Sequence, residues 1–296
     1  MKLSILLVTY NQQNYINQCL QSIFLQEIPF DSEIVVADDC SADATLSIIE
    51  KTLEDNGCKY RLLGNEENLG ISKNYQRGFL ACKGEYIAVI EGDDYWEDPL
   101  RLKKHITFLD DNPKCVLSFN RLKIYFENKD LIKTQKWIHP DDVEIITTNM
   151  MALVNRIGNL SACVFRKSAL QKLKPDLYDL GIADWMLGMA LGEHGFLARF
   201  KEPMSVYRIH DKGKWSSKSR KEQVAGLINI TIPKYDKYLG FRYHAEFEEQ
   251  KRNLELNLKH DATLKRKIVR NTPSFLRSAL SFILPKFVKE KIIKFI

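Results

Sequence analysis

The order of apolar runs predicts an α/β protein built on a mostly parallel sheet, and three observations carry that expectation. Strand-like runs alternate with helix-spaced ones over residues 1–99. Residues 86–90, Tyr-Ile-Ala-Val-Ile, have the length and β-branched content of a strand covered on both faces. Polar residues follow directly on the first, second and fourth strands, and parallel sheets gather ligands at the carboxyl ends of their strands.

Taken in order, residues 3–9 form a continuous apolar strand that ends at Tyr10 and Asn11, after which Tyr15, Ile16, Cys19, Leu20, Ile23 and Phe24 recur at helical spacing. Residues 33–37 make a second strand closing on Asp38-Asp39-Cys40-Ser41. Leu46, Ile49 and Leu53 mark the next helix, which Ser41 or Asp43 could cap. A short strand over 59–63, a helix over 71–81 and the strand over 86–90 complete the alternation. Right-handed crossovers then turn Tyr10, Asp39 and the run Glu91-Gly92-Asp93-Asp94 toward one crevice. No Gly-x-Gly-x-x-Gly follows the first strand, which disfavours a dinucleotide fold of the dehydrogenase type.

Beyond Pro99 the pattern loosens. A helix is expected to about residue 112, strands over 115–126, a turn at 127–130 and an irregular polar stretch to 144. Residues 161–165 read as a strand, 167–173 and 184–193 as helices, 204–209 as a strand, and 210–216 as a loop. Residues 218–263 read as largely helical.

Glu91, Asp93 and Asp94 put three carboxylates within four residues. Such groups raise one another's pKa unless a cation neutralises them. Oxygen ligands alone suit Mg²⁺ or Mn²⁺ beside a phosphorylated ligand. The competing reading is an acidic turn ahead of the helix that Pro99 would open.

With 296 residues, the chain can bury one sizeable core and carry a smaller appendage. The six cysteines are scattered without paired spacing, so neither a disulfide framework nor a zinc site is suggested, and a reducing cytoplasm is expected. The first apolar run is too short for a signal peptide, and no segment reaches the length of a membrane span. Residues 264–296 hold nine basic side chains and one acid, so this tail carries +8 of the overall +6 and the rest of the chain −2. That local basicity argues against a nucleic-acid-binding main domain.

In order and spacing, Val8-Thr9-Tyr10-Asn11, Val36-Ala37-Asp38-Asp39-Cys40-Ser41, Asn68-Leu69-Gly70 with Lys73-Asn74, and Gly84-Glu85-Tyr86 leading into Glu91-Gly92-Asp93-Asp94-Tyr95-Trp96 form a specific set. Ala183-Asp184-Trp185, Tyr207-Arg208-Ile209-His210 and Trp215-Ser216 follow. Over residues 1–216 the chain resembles the family 2 glycosyltransferases, inverting enzymes of the GT-A fold that use nucleotide-diphosphate sugars.

The resemblance implies a Rossmann-like GT-A domain over 1–216, with a helical extension over 217–263 and a basic amphipathic tail over 264–296. It implies that Thr9 and Tyr10, with Asn11, line the uracil pocket, that Asp39 accepts a hydrogen bond from the base, and that Lys73 meets the diphosphate. Lys73 stands where many relatives have arginine, and Glu91 where they usually have aspartate; Glu91 would reach ribose or metal. Asp93 is the first choice as metal ligand and Asp94 the second, with His210 completing the site around Mn²⁺ or Mg²⁺. Asp184 is the implied catalytic base, removing the proton of the attacking acceptor hydroxyl. The plainer readings are helix capping for Asp38 and Asp39, a solvated helix lysine for Lys73, and a helix-dipole acid for Asp184.

The expected partners are a UDP-sugar donor and a glycan or lipid-linked acceptor, in surface polysaccharide or glycolipid synthesis. The tail offers an amphipathic, basic seat on an anionic inner membrane face, against the alternative of a terminal helix packed on the domain. Two rival functions remain at this point: a sugar-phosphate nucleotidyltransferase, and a non-catalytic nucleotide-sugar or glycan-binding protein.

Overall fold

A computed structural model describes residues 1–64, 66–181, 183–213 and 218–271, with side chains described to residue 260. Trp215-Ser216 and residues 272–296, which hold most of the basic tail, lie outside the described residues.

The first half follows the alternation: β1 (Leu3–Thr9), α1 (Ile16–Phe24), β2 (Ser32–Asp38), α2 (Thr45–Asp55), β3 (Tyr60–Leu62), α3 (Ile71–Ala81) and β4 (Tyr86–Glu91). These four strands pair in parallel in the order β3-β2-β1-β4. Side chains alternate across the pleat, so Leu6 and Val8 of β1 face one core and Leu3, Ile5 and Leu7 the other. Helices α1 and α2 cover the second face and α3 the first, which is why β1 is apolar almost throughout.

The second half comprises β5 (Tyr95–Trp96), α4 (Arg101–Asp111), β6 (Cys115–Phe126), β7 (Leu131–Thr134), β8 (Val143–Ile146), α5 (Thr148–Leu153), β9 (Cys163–Arg166), α6 (Lys167–Leu170), α7 (Asp184–Gly192) and β10 (Phe196–Ile209). It extends the same sheet through β4-β9-β6-β10-β5, with β7 on β6 and β8 on β10. Only β6 and β10 are parallel here, so the sheet as a whole is mixed.

Local differences from the sequence expectation have local causes. The strand expected at 204–209 is the end of a longer one, broken in register around Pro203, which lacks the N–H a regular ladder needs. The polar stretch to 144 contains β7 and part of β8, whose strand character comes from pairing with β6 and β10. Residues 160–162 form a 3-10 turn and not a strand start, because Asn159 Oδ1 takes the Ser161 N–H at 2.7 Å.

After β10 come α8 (Arg220–Gly226), a π-helical turn (Leu227–Thr231), α9 (Ile232–Tyr238) and α10 (His244–Asn271). Ser219 and Glu222 cap α8 reciprocally, and Pro233 stands in the first turn of α9, where a regular α-helical continuation would clash with the preceding turn. Val224, Tyr235, Phe247 and Leu254 pack these helices onto the same core as α7. Helix α7 is apolar on every side and buried from Trp185 to Leu191. Among the described residues no helix is long and apolar enough to cross a membrane.

Candidate functional site

Parallel pairing brings the ends of β1, β2 and β4 to one edge. The Asp39 N–H donates to the Thr9 carbonyl at 2.9 Å, and the Gly92 N–H donates to the Val8 carbonyl at 3.0 Å. The chain leaves β1 and β2 through left-handed residues, Asn11 with φ 52° and Cys40 with φ 65°. Asn11 Oδ1 accepts from Ala42 N–H, and its own N–H donates to Ser41 Oγ, both at 2.8 Å, locking the two loops together. Thr9 is buried and donates to Gln12 Oε1, whereas Tyr10 stands 46% exposed at the rim. Gly92 has a steric reason: a Cβ there would lie 2.4 Å from Gln12 Oε1 and 2.8 Å from Thr9 Oγ1.

Asp39 is buried, and its carboxylate accepts Leu69 N–H and Gly70 N–H at 2.9 Å each, at the entry to α3. Arg77 ties the same region down by donating to the carbonyls of Asp38, Leu63 and Gly64.

Ligand oxygens of Glu91, Asp93 and Asp94 lie within 4.8 Å of one another. Burial, then the charge of Asp93, pushes Glu91 up to about 7, although Tyr75 and Asn159 both donate to it, at 2.5 and 3.1 Å. Asp94 is buried and held well above the usual carboxylate range by burial and by both neighbouring carboxylates. Its oxygens accept Ser161 Oγ–H at 2.6 Å, Asn159 Nδ2–H at 2.9 Å and Arg208 N–H at 2.9 Å. Asp93, its side chain 18% exposed, pairs with His210 Nε2 at 3.0 Å. The His210 ring packs 4.7 Å from Tyr15, and Arg208, stacked against Tyr15, Tyr95 and Tyr125, donates to the Asp93 carbonyl. All three carboxylates and His210 are therefore one cluster, with Asp94 its anchored member and Asp93 its accessible one.

A cleft of about 920 Å³ opens beside this cluster. Lys73, Glu91 and Asp184 all line it; Thr9, Tyr10, Asn11, Asp39, Asp93, Asp94 and His210 are not among its walls. Lys73 forms an ion pair with Asp179 across the cleft mouth. Asp184 opens α7; burial raises its pKa, while Asn155 Nδ2–H, donating at 2.8 Å, and the backbone around it pull the other way. Tyr178, Trp185, Tyr207 and Tyr235 give the remaining wall an aromatic surface, and α9 and α10 add Tyr235 and Gln250 to it. Trp185 donates its indole N–H to the Met151 carbonyl and packs in the core while presenting one edge to the cleft.

The segment 155–161 joins the two halves of the site. Asn155 holds Asp184, Asn159 holds Glu91 and Asp94, and Ser161 holds Asp94 and accepts the Glu91 N–H at 2.9 Å. Sequence reasoning assigned none of these three a role, nor Tyr75 or Arg208. Each acts on a residue far away in the chain, 70 positions for Ser161 and Glu91, so no local spacing signals it.

Comparison with known proteins agrees with this geometry. The model for "Glycosyl transferase family 2" matches residues 4–174. An uncharacterized protein of Mycobacterium tuberculosis is 30% identical over 215 residues, which cover 73% of this chain and 61% of that one, so the match spans less than two thirds of its length. The crystal structure of Staphylococcus aureus TarS residues 1–349 with UDP-GlcNAc superposes with a TM-score of 0.60 at 20% identity, over 78% of this chain and 66% of that one. The mannosyltransferase PcManGT of Pyrobaculum calidifontis, solved with GDP-Man and Mn²⁺, gives 0.59 at 16% identity over 99% and 83% of the two chains. At those identities the two structures establish a shared GT-A fold and nothing finer. With the family model covering more than half of its length, the chain belongs to glycosyl transferase family 2.

Proposed function

We propose that this glycosyltransferase moves a sugar, with inversion, from a nucleotide-diphosphate donor to a hydroxyl of a glycan or lipid-linked acceptor in surface polysaccharide or glycolipid synthesis. The observation that carries the reading is the placement of Asp184, a partly buried carboxylate of raised pKa, in one cleft with Glu91 and Lys73. A carboxylate so placed is a general base on the acceptor side. It takes the proton of the acceptor hydroxyl as that oxygen attacks the anomeric carbon, while the bond to the nucleotide diphosphate breaks on the opposite face of the sugar. Asn155 keeps Asp184 in line, and Lys73, by exchanging Asp179 for the diphosphate, offsets charge on the leaving group.

A UDP-sugar is the expected donor. TarS is a poly(ribitol-phosphate) β-N-acetylglucosaminyltransferase solved with UDP-GlcNAc, which supports both the nucleotide and a polymer acceptor. Tyr10 offers a ring face for the base, with Thr9 and Asn11 beside it. Asp39 would accept a hydrogen bond from the base, and Glu91 one from a ribose hydroxyl.

The carboxylate cluster fits a divalent cation, since burial drives Glu91 and Asp94 toward their protonated forms and a hard cation would keep them ionised. Asp93 and His210 would hold it directly, with Asp94 as further ligand or anchor. Bound there, Mn²⁺ or Mg²⁺ supplies charge neutralisation to the departing diphosphate. The basic tail over 264–296 would seat the enzyme on an anionic membrane, and its deletion should abolish co-sedimentation with anionic vesicles.

Calorimetric titration with UDP, GDP, dTDP and CDP, each with Mn²⁺ and again with chelator, tests the donor side. Tight UDP binding only with metal is expected. Absence of binding by all four nucleotides would overturn the reading.

A further inference from the structure

Next to the segment that carries Asn155 and Gly158, two arginines engage one carboxylate and a third acts on one of them from close by. Arg199 and Glu144 are directly opposed on β10 and β8, and Arg121 leaves β6 at the neighbouring bulge. Arg156 Nη1–H donates to Glu144 Oε1 at 2.7 Å, and Arg199 Nη1 lies 3.7 Å from Glu144 Oε2. Among the described residues no ion pair involves Arg121, yet its charge acts on Arg199 together with that of Arg156. Glu144 is buried, and the side chains of Arg156 and Arg199 are 29% and 14% exposed. Three guanidiniums with a single counter-charge are an unbalanced set for so enclosed a place, because an uncompensated charge loses hydration without gaining a partner.

The hydrogen bonds show the same deficit. The Nε atoms of Arg121, Arg156 and Arg199 and the indole Nε1 of Trp137 are all buried without an acceptor. Trp137 lies over the Arg199 guanidinium, 5.3 Å from ring to Cζ, in a stretch between β7 and β8 that has no regular secondary structure. Among the described residues no acceptor meets these four donors.

The location links this cluster to the cleft. Gln135 accepts from Arg199 Nη2 at 3.3 Å, and its Nε2 is the nearest atom, at 3.5 Å, to a Cβ built on Gly158. Gly158 lines the cleft, its backbone helps to set the Asp184 carboxylate, and Arg156 adjoins Asn155, the side chain that holds Asp184. Gln135 and the segment 155–158 therefore connect the arginines to the proposed base.

We propose that Arg121, Arg156, Arg199 and Trp137 form a subsite for an anionic group, phosphate or carboxylate, carried by the acceptor chain beyond the sugar or polyol that receives the transfer. The proposal rests on the glycosyltransferase reading above and names its acceptor class as an acidic oligomer. Guanidiniums recognise phosphate and carboxylate alike through paired N–H donors, and an indole face beside them suits the C–H surface of a sugar or polyol. Trp137, on its irregular segment, would swing to admit the anion and expose the donors now beneath it.

The test is calorimetric titration of the full chain with a glycerol-phosphate oligomer, a galacturonate oligomer and a neutral galactose oligomer of equal length, with UDP and Mn²⁺ titrated in parallel. Vesicles containing anionic lipid form a further arm. At least one acidic oligomer is expected to bind, about tenfold or more above the neutral one, and to weaken with salt. Arg121→Gln, which breaks no ion pair, should reduce that affinity roughly tenfold while UDP binding stays unchanged. The double variant Arg156→Gln with Glu144→Gln, which keeps the pair's shape without its charges, should do the same. The phosphate and galacturonate arms identify which anion the subsite prefers. Equal binding of neutral and acidic oligomers, acidic binding unaffected by Arg121→Gln, or failure of both acidic oligomers to bind a protein that binds UDP with metal would overturn the proposal and leave the transferase reading standing. Arg121-dependent binding to vesicles alone would assign the arginines to a lipid headgroup and also overturn it. Failure of UDP to bind the unaltered chain would instead count against the underlying reading.

Discussion

The two parts of the proposed site, the strand-end edge and the cleft beside it, are built by different means. The edge proposed to take the donor consists of strand ends held by main-chain bonds between neighbouring parallel strands, Asp39 N–H to Thr9 and Gly92 N–H to Val8. The part proposed to face the acceptor is held by side chains reaching between distant segments, Asn155 to Asp184, Asn159 to Glu91 and Asp94, and Ser161 to Asp94. An edge made by topology survives most single substitutions, because the ladder that sets it has many members. A wall made by individual side chains can be dismantled one residue at a time. The contrast predicts separable defects: substitutions at 155–161 and 184 should impair turnover or site geometry while nucleotide affinity is largely kept, unless they reach the carboxylate cluster.

The largest effect should come from Asp184→Asn, which removes the proposed base without changing its size. Turnover should fall by about 10²- to 10⁴-fold, with calorimetric UDP affinity unchanged. Loss of both together would mean that the two parts are not separable. In the other part, Asp93→Asn should lower metal-dependent UDP affinity by roughly tenfold or more with an unaltered circular dichroism spectrum. Unchanged affinity would move the metal site elsewhere.

Ser161→Ala sharpens the comparison at the point where the two parts meet. It leaves the Glu91 N–H and an Asp94 oxygen short of a partner in a buried setting, and should destabilise the fold by about 1–3 kcal/mol, read from the urea midpoint. Asn155→Leu should have the smallest effect, a displaced pH profile. Burial favours the protonated form of Asp184, so its base form appears at higher pH than for an ordinary aspartate, and the acid limb of kcat/KM lies correspondingly high. The Asn155 hydrogen bond favours the ionised form, so its removal should move that limb to still higher pH. A limb that stays in place would show that Asp184 is not the titrating base.

Much of the strand-end edge was readable from the chain alone, for a physical reason. Strands β1, β2 and β4 are apolar because both faces of the sheet are covered, and their polar ends stand out against that background. Parallel pairing then requires those ends to meet, so the chain following β1 at Tyr10, β2 at Asp39 and β4 at Glu91 could be brought to one edge before any contact was known. The part proposed to face the acceptor offered no such contrast. Asn159 and Ser161 look like ordinary turn residues, Tyr75 like a core aromatic in α3, and their roles arise only where separate segments meet at Glu91 and Asp94.

The same division holds for the elements themselves. Helix α3 has the expected bounds because its apolar spacing is intrinsic, whereas β7 and β8 exist by virtue of the partners they pair with, and β10 extends upstream past a proline because β6 and β8 flank it there. By itself the sequence determined the parallel half of the sheet and the carboxylate cluster that ends β4, since apolar periodicity is a property of neighbouring residues and the alternation of strands with helices implies parallel pairing. Only the tertiary structure decided that Asp94 is anchored by three donors while Asp93 pairs with His210, that Asp184 shares a cleft with Glu91 and Lys73, and that Arg156 and Arg199 share one glutamate. Burial and long-range contact set those features, and neither is a property of a residue's neighbours in the chain.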